Sequence, residues 1–213
     1  MRAHAPALGA NALNSGLRFV KGTEQMTAVR TVGGIELLAT GGWEIDPGHA
    51  DVAFVGRHFG LTKICGRFTD VTGTVTIADD IAQSTVVVEI AMSSVDSGNQ
   101  TRGDHLRADD FFHVTNHPSA TFVSTDVAVE GNSGQMTGDL RIKGITRSIT
   151  LDVEYLGHAT DPWSNERAVF SASTTIDRKD WELHWNMILH AGGLLVSEQI
   201  RLEIDVELIR ENS

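Results

Sequence analysis

Histidine is the first residue type in this sequence that could do chemistry. The chain has nine histidines, and His105, His113 and His117 lie close together. A catalytic zinc site normally uses two ligands three or four residues apart on one helix, with a third ligand elsewhere. His113 and His117 have that spacing, but Pro118 follows at once, and the residue before a proline avoids helical backbone. The sequence therefore predicts no metal site, and these histidines are interpreted as surface or loop-bracing side chains.

Serines and acidic residues near the histidines could support acyl transfer. Ser94, Asp96 and Ser97 are the candidates, but no Gly-x-Ser-x-Gly nucleophile motif is present and nothing pairs a particular serine with a base. We therefore predict that the protein is not an enzyme and assign no catalytic residue. An enzyme acting on a small amphiphile, with His58 or His105 as general base, is kept as an alternative.

Charged side chains also occur where the regular pattern of the chain breaks. Arg178 and Asp180 stand beside Trp181 at the end of a clean strand pattern, and Arg102, Asp104 and His105 mark another break. Such groups either tie a loop to the body through ion pairs and hydrogen bonds or contact a ligand's polar head. Both interpretations stay open for each set.

Alternation with a period of two dominates from Trp43 onward, which indicates strands with one buried face. In the last segment Ile200, Leu202 and Ile204 share one face, and charged residues occupy the other. Turn-type residues join the strands as hairpins, so the sheet is antiparallel. Alternation alone fits a barrel or a two-sheet sandwich. Roughly eight or nine strands are predicted, at about 50–59, 61–69, 71–78, 84–93, 120–130, 136–143, 148–155, 167–177 and 199–208.

Two stretches interrupt the strand pattern. Asn99 to Asp110 predicts a short helix capped by Asn99, with Leu106 and the pair Phe111-Phe112 directed towards the core. Asp177 to Val196 is too long for a tight hairpin and is rich in tryptophan. Long ordered loops in compact domains are usually functional or cover something, so either stretch could lie over an open barrel end.

The length of 213 residues suits one large β domain, which we place at residues 42–211. Residues 1–41 lack a sustained period and are predicted to form an N-terminal arm, whose order the sequence leaves open. Ile35–Leu38 is the piece of this arm most suited to packing on the body. Met26 is an alternative start of translation.

Charge and composition restrict the partners and the compartment. The net charge of −11 argues against nucleic acid or an anionic membrane as the main partner. Cys65 is the single cysteine, so no internal disulfide is expected. Polar residues interrupt the first 25 positions, which predicts no export signal, and no run approaches the roughly 18 apolar residues of an integral membrane segment. A cytoplasmic location is expected.

A series of short motifs occurs in a fixed order between about Gly42 and Arg210. The motifs are Trp43-Glu44-Ile45-Asp46-Pro47-Gly48-His49, Phe54-Val55, His58-Phe59-Gly60, Gly66-Arg67-Phe68, Ser93–Ser97, Arg102, His105-Leu106-Arg107, Asp109–Phe112, Pro118–Ser124, Gly138–Thr146 and Ile176–Trp181. Together they resemble the YceI-like family, a lipocalin-like family. Two positions depart from the family pattern: Ala50 stands where a serine is usual, and Gly103 follows Arg102 where an aspartate is common.

The resemblance implies an all-β fold: an extended eight-stranded antiparallel lipocalin-like barrel with short helical and loop excursions. It also implies binding, sequestration or transport of a long apolar amphiphile, most typically a polyisoprenoid such as an isoprenoid quinone or prenyl lipid. That apolar, lipid-like molecule is the expected partner, and no cofactor beyond it is expected. Each buried methylene contributes about 0.8 kcal/mol, so a dry tunnel can bind such a chain with few polar contacts.

The expected ligand-binding residues fall into two groups. The tunnel lining is predicted to comprise Phe54, Phe68, Ile90, Phe111, Phe112, Phe122, Leu140, Phe170 and Trp181. The contacts to a polar head are predicted to comprise His58, Arg102, His105, Arg178 and Asp180. Each apolar member could equally be plain core. A structural or partner-binding barrel with a side-chain-filled interior is therefore the main alternative, and a homodimer through a sheet edge or the tryptophan-rich loop stays open.

Overall fold

The computed structural model describes residues 28–32, 35–188 and 194–211. Most of the predicted arm, including Met26, lies outside the described residues, as does part of the loop predicted at 177–196.

The described residues form twelve strands, one α-helix and three short 3-10 turns. The turns are Ile81–Gln83, Met92–Ser94 and Arg178–Trp181. The strands and the helix, in chain order, are β1 (Val29–Val32), β2 (Ile35–Leu38), β3 (Gly41–His58), β4 (Thr62–Phe68), β5 (Val71–Ile77), β6 (Thr85–Ala91), β7 (Val95–Asp96), α1 (Gln100–Arg107), β8 (Ser119–Glu130), β9 (Ser133–Ile142), β10 (Ile145–Thr160), β11 (Glu166–Asp177) and β12 (Gln199–Arg210).

Antiparallel pairing runs around a closed sheet in the order β12, β11, β10, β9, β8, β6, β5, β3, and β12 then pairs with β3. Strands β4 and β5 act as one kinked strand, because β3 pairs with β4 along residues 52–58 and with β5 along residues 41–44. Likewise β7 continues β6 beyond a 3-10 turn and pairs with the end of β4. The result is the predicted closed eight-stranded antiparallel barrel, so the fold class is confirmed.

Side-chain alternation follows the predicted faces. On β12, Leu202 and Ile204 are partly buried and pack against the core, whereas Arg201 and Glu203 are exposed. Direct partners in a ladder point to the same side, and Ile204 lies opposite Val52 on β3 and Ala172 on β11. The apolar faces of the strands therefore line one interior.

The predicted helix is present and shorter than expected. It spans Gln100–Arg107 instead of extending to Asp110, and the side chain of Asn99 caps it by accepting a hydrogen bond from the backbone N–H of Arg102 at 3.0 Å. Leu106 is buried, as expected for the core-facing position. None of the helices in the described part of the chain is long and apolar enough to cross a membrane.

The two ends of the barrel differ. One end, the helical end, carries α1, the 3-10 turn Arg178–Trp181 and the segment 182–188. The other, the hairpin end, carries β1 and β2 together with the β5–β6 and β8–β9 turns and the start of β11. Buried aromatic and aliphatic side chains form one cluster around Trp181 and Phe112 and a second cluster around Trp43.

The sequence predicted only an arm before residue 42, and the structure shows a short antiparallel hairpin there. Val29 pairs with Leu38 and Val32 with Ile35. Ala28 and Leu38 are buried against the cluster around Trp43. The candidate piece Ile35–Leu38 is thus strand β2, and its last residue packs on the barrel.

Candidate functional site

An apolar cavity of about 250 Å³ lies inside the barrel. Its wall combines residues from nearly every strand of the closed sheet, because each strand turns its apolar face inward. Branched aliphatic side chains dominate, among them Ile45, Val75, Val86, Leu151, Val153 and Ile204. Such a surface favours a hydrocarbon chain over water.

The chemistry of the wall is uniform. Among the described lining residues, Tyr155 is the sole side chain that titrates, and the other polar members are serines, Asn132 and Gln135. The ring of Tyr155 packs near Phe170 at 5.3 Å, and its hydroxyl lies 2.8 Å from His158 Nδ1. The cavity therefore offers shape and apolar contact with few groups able to transfer a proton.

The cavity reaches solvent at the hairpin end. Gly131, Asn132 and Ser133 of the β8–β9 turn belong to its wall and are exposed. Leu37 and Leu38 of β2 form another part of the wall at the same end. The β8–β9 turn and the N-terminal hairpin therefore border the cavity at this end.

The structure separates the predicted tunnel residues into two sets. Ile90, Phe122, Leu140 and Phe170 line the cavity. They come from β6, β8, β9 and β11; Ile90, Phe122 and Leu140 pack with the cluster around Trp181, and Phe170 packs with the cluster around Trp43. These four stay candidate ligand contacts.

The remaining predicted tunnel residues pack at the helical end, outside the cavity wall. Phe68 lies between Phe54 and Phe112, with ring centroids 5.7 and 5.9 Å away. Phe111 stands edge-on to Phe112 at 5.5 Å, and the ring of Phe54 covers Gly66, where a Cβ atom would collide with it. Trp181 is 1% exposed and donates its indole N–H to the carbonyl of Leu140 at 3.2 Å. This aromatic plug fills the barrel end, and Trp181 touches the cavity wall through Leu140.

Arg178, a predicted head-group contact, is 3% exposed. Its Nε donates to the carbonyl of Ser197 at 3.1 Å, and its Nη1 donates to the carbonyl of Leu183. Burial lowers the pKa of the guanidinium, and nearby Glu198 and Asp177 oppose that shift. Nη2 has no hydrogen-bond partner among the described residues. Arg178 thus ties the segment after β11 to the body, which is one of the two interpretations that the sequence left open. Asp180 is exposed and is not among the hydrogen-bond partners of Arg178 in the described residues.

The predicted head-group residues around α1 and the β3–β4 turn make local contacts. Arg102 is exposed and donates to the carbonyl of Ser97. His105 Nε2 lies 2.9 Å from an Asp110 carboxylate oxygen, and its ring stands edge-on to Trp185 at 4.4 Å. The ring of His58 lies 3.9 Å from that of Phe59.

The structure therefore does not gather the five predicted head-group residues at the cavity. None of them belongs to its described wall, and they are distributed over the helical end. Their role in binding stays a prediction.

A charged cluster around Arg167 escaped the sequence analysis. Arg167 on β11 donates to Asp46 at 2.6 Å, to Asp161 at 2.9 Å and to Glu207 at 3.0 Å. The hydrogen bond from Arg167 is the main cause that lowers the pKa of Asp46 to about 2. Desolvation raises the pKa of Asp161, but bonds from the side chain and backbone of Asn165 and from Arg167 lower it by more. The motif around Asp46 was visible in the sequence, but Arg167 lies 121 residues further along the chain, so nothing in the sequence signalled that the two side chains pair.

Part of this cluster has the donor spacing of a metal site. Three potential metal-ligand atoms lie within 4.8 Å of one another, one each from Asp46, His49 and Glu207. The guanidinium of Arg167 already forms ion pairs with both carboxylates of this trio. It therefore supplies the positive charge that a metal ion would otherwise supply. The cluster is therefore an ion-pair network that joins β3, β11 and β12.

Comparison with known proteins agrees with this architecture. The family model described as the YceI-like domain matches residues 43–208. The chain therefore belongs to the YceI-like domain family, as the motifs in its sequence indicated.

Individual relatives give the same result. A UPF0312 protein of Pectobacterium carotovorum is 37% identical over 164 residues, which cover 76% of this chain and 82% of the relative. The crystal structure of Burkholderia cenocepacia BcnA matches with a TM-score of 0.67 at 22% identity, covering 76% of this chain and 98% of that one. A polyisoprenoid binding domain from Saccharophagus degradans matches with a TM-score of 0.58 at 16% identity, covering 79% and 98%. Because both solved structures are less than 25% identical to this chain, they support the assignment of the fold.

Proposed function

We propose that this protein binds a long apolar amphiphile of the polyisoprenoid class inside its barrel and so sequesters or carries it. The observation that carries this proposal is the 250 Å³ cavity, whose wall is mostly aliphatic and which reaches solvent at the hairpin end. Since each buried methylene contributes about 0.8 kcal/mol, a chain in this space gains affinity without specific polar contacts. The likeness to a domain that binds polyisoprenoid supports the same ligand class.

Binding is favoured over catalysis by the placement of the titratable groups. His58 and His105, the candidate bases of the enzymatic alternative, lie outside the described cavity wall, and His105 is already paired with Asp110. A general base must come within hydrogen-bond reach of the proton that it removes. The apolar cavity instead suits a ligand that is bound and released without chemical change.

The two barrel ends indicate how the ligand lies. The aromatic plug around Phe112 and Trp181 fills the helical end, whereas Asn132 and Ser133 are exposed beside the cavity at the hairpin end. A polar head costs free energy when buried without partners, so it stays at the hairpin end while the chain points towards the plug. Ile90, Phe122, Leu140 and Phe170 are then the proposed contacts of the chain.

Filling the cavity with a side chain tests this proposal. Ala172 on β11 lines the cavity, and the next residue, Ser173, points to the other face of the same strand. Ala172→Phe should lower the affinity for an added prenyl quinone at least about tenfold, because the new ring takes the space of the chain. Ser173→Phe adds the same ring outside the barrel and should leave binding unchanged.

Native mass spectrometry and organic extraction provide the readout. The unmodified protein is expected to hold close to one prenyl lipid per barrel, and circular dichroism would verify that both variants fold. If the unmodified protein neither carries nor takes up a prenyl quinone or prenol, the lipid-binding proposal is wrong, and a side-chain-filled interaction barrel becomes the better interpretation.

A further inference from the structure

The N-terminal hairpin, formed by β1 and β2, is a separate two-stranded sheet. Its strands pair with each other, and neither pairs with a described strand of the barrel. A lone two-stranded hairpin is marginally stable in water, so its position depends on the few contacts that attach it to the barrel.

Two polar tethers attach the hairpin to the barrel on either side. Arg30 Nη2 donates to the carbonyls of Ala78 and Asp79 in the β5–β6 turn at 2.7 and 2.9 Å. The backbone N–H of Ala28 donates to a carboxylate oxygen of Glu166 at the start of β11 at 3.1 Å. The tethers reach β5 and β11, which are separated in the sheet by β3 and β12, so the hairpin spans several strands at this end.

The inner surface of the hairpin belongs to the cavity. Leu37 and Leu38 form part of the cavity wall, and Ala28 and Leu38 are 2% and 5% exposed. Together with the β8–β9 turn they limit the passage between the cavity and solvent. Movement of these leucines would widen that passage.

The base of the hairpin can act as a pivot. Ala39 donates its N–H to the carbonyl of Ala28, and its own carbonyl accepts the indole N–H of Trp43 at 3.2 Å. Gly41 follows with a φ of +119°, a conformation that side chains with a Cβ rarely adopt. Rotation about this point would move the hairpin and leave the pairing between barrel strands intact, and loss of the Arg30 and Ala28 tethers would remove two of the contacts that oppose it.

We propose that the N-terminal hairpin is a hinged lid over the open end of the cavity and that it gates the exchange of the apolar ligand. The inference rests on the proposed function, because a lid matters only if the cavity takes up a ligand. Arg30 does not line the cavity, so a ligand in the cavity can bind without displacing its tether. Weakening that tether should speed both entry and exit and leave the affinity nearly unchanged.

Stopped-flow fluorescence with a fluorescent prenyl probe separates the rates from the affinity. Arg30→Gln in the full chain should raise the association and dissociation rate constants together, by about threefold to tenfold, with Kd changed less than about twofold. Arg57→Gln is the matched control, because Arg57 is an exposed arginine at the helical end that also donates to a backbone carbonyl, that of Leu61. The control should leave both rate constants unchanged.

The outcomes distinguish the lid from the binding proposal. If the unmodified protein binds the probe but Arg30→Gln leaves both rate constants as they were, or changes them no more than Arg57→Gln does, the lid is refuted and the binding proposal stands. Failure of the unmodified protein to bind the probe would overturn both proposals.

Discussion

At the scale of single residues, Arg167 has the clearest electrostatic role. It binds carboxylates from β3, from β12 and from the β10–β11 turn, and its side chain is 17% exposed. Charge-assisted hydrogen bonds of this kind are stronger than neutral ones and fix the geometry of the groups that they join. Since β12 and β3 are the pair that closes the barrel, this arginine helps to hold the closing seam.

The pH dependence of stability tests that role. The pKa of Asp46 is lowered from 3.8 to about 2, so its contribution to stability is complete above pH 3.8 and is lost as the pH falls towards 2. In Arg167→Met the pKa of Asp46 should rise from about 2 towards 3.8, and the stability deficit against the unmodified protein should be largest near neutral pH and shrink below pH 3.8. NMR titration and urea unfolding at several pH values measure both. Arg201→Met, which removes an exposed ion pair with Glu203, is the control. An unchanged Asp46 pKa in Arg167→Met would contradict the electrostatic role of Arg167.

At the scale of elements, the regular strands and the helix were accessible from the sequence and the hairpin was not. Alternation along β12 and the Asn99 cap are local signals, and both were confirmed. β1 and β2 have four residues each, which is too short to establish a period of two. The contacts that place them, such as Arg30 with the β5–β6 turn, join residues 48 or more positions apart and leave no local trace.

The cap of α1 gives a prediction at this scale. Asn99→Ala removes the acceptor for the Arg102 N–H and should cost about 1 kcal/mol, or a Tm decrease of about 2–4 °C for a chain of this size. Asn99→Asp keeps an acceptor and should stay within about 0.5 kcal/mol of the unmodified protein. Differential scanning calorimetry measures both. Equal destabilisation by the two substitutions would mean that the asparagine acts through something other than the cap.

At the scale of the whole molecule, the barrel divides into a packed end and a hollow end. Sequence patterns identify inward-facing positions, but Phe54 and Phe122 look alike in an alternating strand. One belongs to the aromatic plug, and the other lines the cavity. The height of a residue along the barrel and the direction of its ring decide this difference, and both depend on strand register. The sequence could therefore predict a barrel with an apolar interior but not where that interior is empty.

Hydrogen exchange across the whole chain tests this division. Amides of β1 and β2 should exchange faster than those of β3 and β12, because the hairpin opens without disturbing the closed sheet. At a free prenyl quinone concentration of 100 times Kd, amides whose opening requires release of the ligand should slow by up to about 100-fold, with the largest effect in the β5–β6 and β8–β9 turns at the hairpin end. Exchange detected by mass spectrometry resolves these segments, and at the same quinone concentration Ala172→Phe should show a slowing at least about tenfold smaller. Slowing confined to α1 and the aromatic plug would contradict the proposed direction of the bound chain, since it would place the ligand at the end that the structure shows to be filled.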